Sequence, residues 1–335
     1  MLSVCNDPKA ILVIRAALVV ISALLAASVP AASPDASRYP ARSLRVVVPF
    51  TPAGGADLVA RTLGQRLSEQ IGQMVVVDNR VGADGNIGTE LVARATPDGY
   101  TLLLGYVGNL AIAPALHSRL PFDPVQDFAP ITQIAAAPNI LVVNTSVPVK
   151  DFAEFLSYIK ANPNTVGFAS AVVGSPGHLA GEMLKRRAGL MMFHIPYKGA
   201  SQALVDVMGG QVQAMFGVST VLPHIKTGKL RGLATTGHRR LAILPEVPTI
   251  AELGFPGFEA TAWYGYLAPK LTSPATIKFL YDETARALKV PQVKARLEAA
   301  GFDIVGSTPS DFEAYIRNEI RKWAEVVTES GAKAE

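Results

Sequence analysis

The sequence contains a single cysteine, Cys5, among its 335 residues. Cys5 precedes an apolar segment near the N-terminus, so removal of that segment leaves a chain without any thiol. Such a chain forms no disulfide bond, and it offers neither a thiol nucleophile nor a thiolate ligand for a metal. Cysteine chemistry is therefore excluded from the activity expected of the mature protein.

Charged residues are also scarce, at 17% of the chain, and they are nearly balanced, with 31 basic and 27 acidic side chains. No basic run is present that could follow a nucleic-acid backbone, so we expect no nucleic-acid partner. Hydrophobic residues make up 49% of the sequence, which is typical of a globular α/β protein with large cores. The length favours two domains over one.

The apolar run near the N-terminus, Ala16 to Val29, is too short for a typical transmembrane helix. Lys9 and Arg15 precede it, and small residues around Ala31 supply a plausible cleavage site. We therefore predict a signal peptide over residues 1–31, with an uncleaved membrane anchor as the alternative. A lipid-bearing cysteine would follow the apolar core, so Cys5 does not indicate a lipoprotein.

Sequence motifs for cofactors and catalysis are missing. No G-x-x-x-x-G-K-[ST] loop and no H-E-x-x-H pair occurs, and no glycine loop has the G-x-G-x-x-G spacing of dinucleotide folds. Ser175 lacks the hydrolase elbow G-x-S-x-G, because Val173 stands where its first glycine would be. We expect no cofactor, no metal and no enzyme activity. An exported hydrolase or isomerase that uses Ser175 and His178 is the alternative.

The first glycine-rich loop follows a short strand. Leu44 to Val48 is apolar and rich in β-branched residues, which predicts a buried parallel strand, and a turn follows over Thr51 to Gly55. A helix with one apolar face is predicted next, ending at Gly72, with its apolar positions at Val59, Leu63, Leu67 and Ile71. Free backbone amides at this helix N-terminus could bind an anion, although any βα unit needs a glycine turn.

The arrangement of strand, glycine loop and helix recurs in both halves of the chain. Met74 to Val77 predicts a second buried strand, which leads into the glycine-rich loop up to Gly88. Val166 to Ser170 predicts a strand followed by Ser175 as an N-cap and Pro176 at the first helical position. Several helix N-termini around a cleft suit a small carboxylate, because charge-assisted N–H bonds are about twice as strong as neutral ones. Together with export, this favours an extracytoplasmic solute receptor.

Two further predictions concern segments away from these loops. Pro121 to Pro130 is expected to be irregular, because it mixes proline, acidic and aromatic residues. The last helix is expected to begin with the capping box Ser310-x-x-Glu313.

The motifs together match a known family. From about Tyr39 to the C-terminus, the chain resembles the Bug family of solute receptors of tripartite tricarboxylate transporters. The stretches that carry the resemblance are Val46 to Arg61, Asn79 to Gly88, Pro97 to Leu103, His194 to Gly199, Gly228 to Arg231 and Leu244 to Thr249.

The resemblance implies an α/β fold of the two-lobed periplasmic binding protein type, a type II-like Venus flytrap with a ligand cleft between the lobes. The first lobe would comprise residues 38–137 plus 260–335, and the second lobe residues 138–259. The implied function is periplasmic capture of a small carboxylate for membrane transporter subunits, by a receptor that we expect to be monomeric. An exported sensor subunit that signals to a membrane partner is the alternative.

The resemblance also implies which residues contact the ligand. The first lobe would contribute Phe50, Thr51, Ala53, Gly54, Asp57, Gly85 and Asn86. The second lobe would contribute Gly174, Ser175, Pro176, His178, Tyr197, Lys198 and Gly199. Asp57 could attract a ligand amino group or cap its own helix, and Lys198 could pair with a carboxylate or lie in a turn.

The chain departs from the family pattern in its first-lobe loops. Ala53 and Asp84 stand where glycine is usual, and Ala56 stands where threonine or serine is common. If Asp84 faces the cleft, it would oppose a tricarboxylate, whereas facing water it would have no effect. Recognition through backbone amides leaves the ligand open among citrate-like acids, dicarboxylates, acidic amino acids, nicotinate-like acids and aromatic acids.

Overall fold

The structure is a computed structural model that describes residues 39–197 and 199–331. The predicted signal peptide, residues 1–31, lies outside the described residues, and so does Lys198. Among the described helices, none combines the length and the apolar character that a bilayer span requires.

Eleven strands form two β-sheets in the described part of the chain. The strands are β1 (Leu44–Val48), β2 (Val75–Asn79), β3 (Thr101–Tyr106), β4 (Phe128–Pro138), β5 (Ile140–Asn144), β6 (Gly167–Ser170), β7 (Phe193–Pro196), β8 (Ala214–Gly217), β9 (Leu230–Thr235), β10 (Thr261–Pro269) and β11 (Asp303–Ile304).

Helices cover the two sheets. They are α1 (Gly55–Ile71), α2 (Asn86–Ala93), α3 (Ala113–Leu116), α4 (Phe152–Ala161), α5 (Pro176–Ala188), α6 (Ala200–Met208), α7 (Leu222–Lys226), α8 (Pro274–Leu288), α9 (Pro291–Ala299) and α10 (Pro309–Ser330). Short 3-10 turns precede α2 and α7, and a π-helical turn, Gly108–Ile112, precedes α3.

The six-stranded sheet has the order β11-β4-β10-β3-β1-β2, and with its helices we call it the first lobe. Strands β1, β2 and β3 are parallel, so Val46 lies between Val77 and Leu102. Strand β10 runs antiparallel to β3 and β4. Since α1 and α2 follow β1 and β2, both helices begin at the carboxyl edge of the sheet, where open α/β sheets bind their ligands.

The five-stranded sheet has the order β7-β6-β8-β5-β9, and with its helices we call it the second lobe. Strand β6 is parallel to β7 and β8, whereas β5 is antiparallel to β8 and β9. The buried core on one side of this sheet joins Val142 and Met215 to Ala203 and Val207 of α6. The loops after β6 and β7 therefore lead to the N-termini of α5 and α6.

The chain passes between the sheets at Asn139 and returns between β9 and β10, and hydrogen bonds join these passages. The Asn139 backbone N–H donates to Thr236 Oγ1 at 2.8 Å, and the Asn139 side-chain amide donates to the carbonyl of Ala260 at 2.9 Å. All three residues are buried. Two hydrogen-bonded passages of this kind suit a hinge between rigid lobes.

The long C-terminal helix α10 is anchored to the first lobe by a buried carboxylate. Glu319 accepts hydrogen bonds from the indole N–H groups of Trp263, at 3.0 Å, and of Trp323, at 2.9 Å. The same helix also contacts the second lobe, because Arg186 of α5 donates to the carbonyl of Glu329. Helix α10 thus contacts both lobes.

The structure corrects three sequence-based predictions. Strand β2 lies at the edge of its sheet and is not buried as predicted. Val76 within the strand is 44% exposed, and Met74 just before it is 67% exposed. Part of the segment expected to be irregular is strand β4, which begins at Phe128 because β10 and β11 pair with it from distant parts of the chain. Helix α10 is capped by Thr308, which accepts from the Asp311 N–H, and not by Ser310.

Candidate functional site

The N-terminus of α1 is an open set of backbone amides. Its N-cap is Gly54, in extended conformation, and no side chain caps the helix. The N–H groups of the first helical residues have no partner within a helix, and the macrodipole makes this end positive. Thr51 lies exposed on the preceding turn, and Ala53 there has a left-handed φ of 65°.

Helices that begin after a glycine share this lack of a side-chain cap. Helices α1, α2 and α6 follow Gly54, Gly85 and Gly199, and none of these three helices has a side-chain cap. In contrast, α4, α5, α8 and α10 are capped by Asp151, Ser175, Ser273 and Thr308, respectively. Helix α9, after Val290, is uncapped as well, but it follows another helix and not a strand. The glycine-started helices α1 and α6 therefore leave amides open after strand ends, as an anion site requires. In α2 the first two amides, of Asn86 and Ile87, donate to the carbonyls of Ala83 and Gly82 in the preceding turn.

A hydrogen-bond network holds the turn before α1. Asp57 accepts from the Ala53 N–H at 3.0 Å and from Arg61 Nε at 2.9 Å, and its second oxygen accepts from Asn79 Nδ2 at 3.0 Å. Asn79 Nδ2 also donates to the Phe50 carbonyl at 3.0 Å. We call Asp57, Arg61 and Asn79 the first-loop network.

The electrostatics of Asp57 match this structural role. Burial alone would raise the pKa of Asp57, but hydrogen bonds from Arg61, Ala53 and Asn79 lower it, and the net direction is downward. Both carboxylate oxygens of Asp57 are engaged by protein donors, and the backbone N–H that it accepts from belongs to Ala53 in the turn and not to the helix. Asp57 therefore holds the turn before α1 and does not cap the helix. Asn79 was not among the predicted site residues, although it is the last residue of β2 and the first residue of a family motif.

The loop before α2 is built from backbone of unusual conformation. Four successive residues, Gly82 to Gly85, have positive φ values of 130°, 46°, 54° and 95°. Asp84 is among them and is exposed. Asn86, the first residue of α2, is buried, and its Oδ1 has no hydrogen-bond partner. A buried unpaired amide oxygen at a helix N-terminus is available to a donor group of a ligand or to a water.

Aromatic rings lie beneath both first-lobe loops. The ring centroids of Phe50 and Tyr106 are 5.1 Å apart, and those of Tyr106 and Tyr264 are 5.2 Å apart. A Cβ on Gly85 would lie 3.2 Å from Phe50, and one on Gly55 would lie 3.0 Å from the Tyr264 hydroxyl. The site predicted from sequence lacked Tyr106 and Tyr264, which only the pairing of β3 with β10 brings together.

The second-lobe loop before α5 has the predicted local structure. Ser175 is the N-cap, its hydroxyl accepts from the His178 N–H, and Pro176 is the first helical residue. Gly174 has a left-handed φ of 74°, and its N–H donates to His178 Nδ1 at 3.0 Å. His178 therefore faces its own loop. A Cβ on Gly174 would overlap Leu116 Cδ1 of the first lobe, so the two lobes touch at this loop.

Tyr197 supports the neighbouring loop before α6. Its hydroxyl donates to Asp206 Oδ2 at 2.6 Å. Burial, the hydrogen bond and the negative charge of Asp206 together raise the pKa of Tyr197 to about 12. Gly199, next along the described chain, is the uncapped start of α6. The Tyr197 hydroxyl is therefore hydrogen-bonded to a residue of α6, while no side chain caps the amides after Gly199.

The described residues of the predicted site lie at or just before four helix N-termini, two in the first lobe and two in the second. Within residues 39–197 and 199–331, no group of three or more histidine, cysteine and carboxylate side chains is arranged to hold a metal ion. The arrangement offers backbone donors for an anionic group, aromatic rings for a carbon skeleton and one unpaired amide oxygen that can accept from a hydroxyl group or a water.

Comparison with known proteins identifies the family. A family model described as "Tripartite tricarboxylate transporter family receptor" matches residues 59–332. The chain belongs to this receptor family. It is 39% identical over 318 residues to protein BugT of Bordetella pertussis, and the match covers 94% of this chain and 98% of BugT. The predicted resemblance to Bug receptors is therefore confirmed.

Solved structures of this receptor family confirm the predicted two-lobed α/β fold. Rpa4515 of R. palustris, solved with adipate, is 34% identical with a TM-score of 0.82, over 88% of this chain and 99% of that chain. MatC (Rpa3494) from Rhodopseudomonas palustris, solved with bound malate, is 31% identical with a TM-score of 0.77, over 86% and 100% of the respective chains. Receptors in this family are thus known to bind small carboxylates.

Proposed function

We propose that the protein is a periplasmic receptor that captures a small carboxylate between its lobes and delivers it to the membrane subunits of a tripartite tricarboxylate-type transporter. The observation that carries the proposal is the set of glycine-started helices α1, α2 and α6, whose N-termini lack side-chain caps and follow strand ends. A carboxylate would accept hydrogen bonds from the first amides of α1 and α6 and complete the caps that the sequence omits there.

We place the lobe boundaries where the sequence predicted them, at residues 38–137 with 260–335 and at residues 138–259. The two sheets support this division, because β1–β4, β10 and β11 form one sheet and β5–β9 form the other. Ligand contacts made only when the lobes close would shift the hinge toward the closed state. A monomer suffices for this mechanism, since both halves of the site come from one chain.

Our proposed ligand-contacting set comprises residues 50, 51, 53, 54, 85 and 86 of the first lobe and residues 174–176 and 197–199 of the second. Asp57 and His178 stay in the proposal as residues that shape the loops. The adipate and malate complexes of relatives support a carboxylate ligand, and the aromatic rings of Phe50 and Tyr106 supply an apolar surface for its carbon skeleton.

The test is thermal unfolding of the mature protein against a panel of small acids, each paired with its amide. An acid present at 100 times its dissociation constant adds about 2.7 kcal/mol to the free energy of unfolding. We expect stabilisation by at least one acid and none by its amide. Equal stabilisation by acid and amide, or none by any acid after unfolding and refolding to remove a copurified ligand, would contradict the proposal.

A further inference from the structure

Two histidines of the second lobe are stacked behind the loop that precedes α5. The rings of His178 on α5 and His194 on β7 have centroids 3.8 Å apart and planes 19° apart. His178 is 5% exposed, and the ring centroid of Phe168 lies 5.1 Å from that of His194. We call His178 and His194 the histidine pair.

The hydrogen bonds of the pair define where each neutral ring carries its proton. The backbone N–H of Gly174 can only donate, so His178 Nδ1 must be unprotonated and the proton is on Nε2. Ser170 Oγ donates its single proton to the Val172 carbonyl, so it accepts from His194 Nε2–H at 2.7 Å. His178 is therefore neutral with its proton on Nε2, and His194 carries a proton on Nε2.

These hydrogen bonds hold the loop over residues 170–175 near both of its ends. His194 acts through Ser170 on the Val172 carbonyl, which also accepts from the Ser175 N–H at 3.2 Å. His178 acts directly on Gly174, whose left-handed backbone brings this loop against the first lobe. His178 Nδ1 and His194 Nε2 both form hydrogen bonds to residues of this loop, so the pair positions the loop.

The surroundings of the pair disfavour a positive charge. Burial, followed by the positive charge of Lys185, lowers the pKa of His178 to about 4. Burial, then His178 and Lys185, lower the pKa of His194 to about 3. The Lys185 ammonium is held 2.9 Å from Glu182 on the same helix, while Phe168 and Ser170 on β6 are uncharged. The unfolded chain therefore takes up protons from about pH 6.5 downward, before the folded pair does.

We propose that the histidine pair is a positioning device for the second-lobe ligand loop, and that protonation of His178 on Nδ1 releases Gly174 and loosens the loop. A protonated Nδ1 would present a second donor to the Gly174 N–H, so the hydrogen bond would be lost. This inference rests on the proposed function only in naming the loop as a ligand loop.

The experiment compares His178→Asn with His178→Leu in the mature protein. The asparagine Oδ1 can take the place of Nδ1 as an acceptor for Gly174, whereas leucine fills the space without accepting. Hydrogen exchange of the Gly174 amide and thermal stability between pH 4.5 and 6.5 are measured without ligand. Affinity is then measured for whichever acid stabilises the wild type.

At about pH 6.5, where folded His178 is neutral, we expect Gly174 to be protected from exchange in the wild type and in His178→Asn, and to be unprotected in His178→Leu. The free energy of unfolding of the wild type should fall as the pH drops below 6.5, because unfolding is then coupled to proton uptake. His178→Asn should lower the number of protons taken up on unfolding by about one. His178→Leu should lower ligand affinity about tenfold, and His178→Asn should retain most of it.

Equal exchange of Gly174 in the wild type and in His178→Leu would overturn the inference. So would a loss of affinity in His178→Asn with Gly174 still protected, since His178 would then contact the ligand itself. If His178→Leu fails to fold, His194→Gln provides the test, because its amide can still donate to Ser170 and Gly174 should stay protected. The exchange and pH measurements need no ligand. They would therefore still test the histidine pair if the protein proved not to bind a carboxylate.

Discussion

At the scale of single residues, Ala53 is in a conformation that its side chain disfavours. Its φ of 65° is left-handed, which costs an L-residue roughly 1–2 kcal/mol, and glycine avoids most of that cost. We predict that Ala53→Gly raises the free energy of unfolding by about 0.5–1 kcal/mol after the greater freedom of the unfolded chain is included. Denaturant unfolding measures the effect.

The matched control for that prediction is Ala60→Gly in the interior of α1. Ala60 is fully buried within the helix, so glycine there should destabilise the protein by about 1 kcal/mol or more. If both variants lost stability to the same extent, the backbone of Ala53 would not be under strain.

The carboxylate of Asp57 is the centre of the first-loop network. Asp57→Asn replaces an acceptor of three hydrogen bonds with a group that must donate on one side, so we predict a loss of about 2 kcal/mol and a weaker affinity for the ligand. Because its folded-state pKa is lowered, the stability that Asp57 contributes is present above the pKa of the unfolded chain and is lost as the pH falls through the folded value.

Asp311→Asn is the control for Asp57→Asn, because Asp311 also lies in the first turn of a helix and accepts from a neighbour, Thr308. Calorimetric titration with the identified acid should show reduced affinity for Asp57→Asn alone. Unchanged affinity in Asp57→Asn would mean that the network does not shape the site.

At the scale of elements, the missing cap of α1 allows a direct test of the anion site. Gly54 has an extended backbone, and a Cβ there would lie 3.6 Å from the Thr51 carbonyl oxygen, an ordinary contact. Gly54→Asp would place a carboxylate on the open amides, so we predict a gain of a few tenths of a kcal/mol in stability and at least about a tenfold loss of ligand affinity.

Val290→Asp provides the comparison, since it adds the same carboxylate to α9, which also lacks a side-chain cap but follows another helix and not a strand. Thermal unfolding and ligand titration of both variants should show a loss of affinity only in Gly54→Asp. A loss in both would point to a general effect of charge and not to occupation of the amides.

Local elements were predicted from the sequence where local chemistry determines them. The strand before the first loop, the stop of α1 at Gly72 and the Ser175 N-cap are confirmed, because each depends on a few neighbouring residues. Strand β4 was missed because partners from β10 and β11 stabilise it, and those partners lie more than a hundred residues away. Tyr264 was missing from the predicted site for the same reason, because β10 is distant in sequence from β3, with which it pairs.

Side-chain roles in the site were harder to predict than its loops. Local spacing places Asp57 and His178 beside their glycine turns, and it puts Arg61 one helical turn after Asp57. Only the fold shows that Asn79 of β2 bonds to Asp57 and that His194 of β7 stacks on His178. A single sequence does not record such contacts between residues from different elements. The capping box at Ser310 was wrong because Thr308 and Pro309 supply a competing start two residues earlier.

At the scale of the whole molecule, the lobes touch where Gly174 meets Leu116. Gly174→Ala would force Leu116 to move and would also strain a left-handed residue. We predict a larger radius of gyration with ligand present and weaker ligand affinity, because the lobes could not close to the same distance. Small-angle X-ray scattering and calorimetric titration measure these two effects.

Gly189→Ala is the matched control for lobe closure. Gly189 ends α5, the same helix, with a φ of 62°, and a Cβ there would meet no atom within 4 Å. Both alanine variants should lose about 1 kcal/mol of stability, whereas only Gly174→Ala should change the scattering. Identical scattering of Gly174→Ala and the wild type would show that Leu116 adapts without any movement of the lobes.

The anchoring of α10 by Glu319 has a consequence for spectroscopy. The only two tryptophans of the sequence, Trp263 and Trp323, are fully buried and donate to the same carboxylate. Their emission should therefore report detachment of the C-terminal helix during unfolding and should change little when a ligand enters the cleft. Because the only cysteine lies in the predicted signal peptide, a thiol-reactive dye at one introduced cysteine near Gly174 would report lobe closure without competing labels.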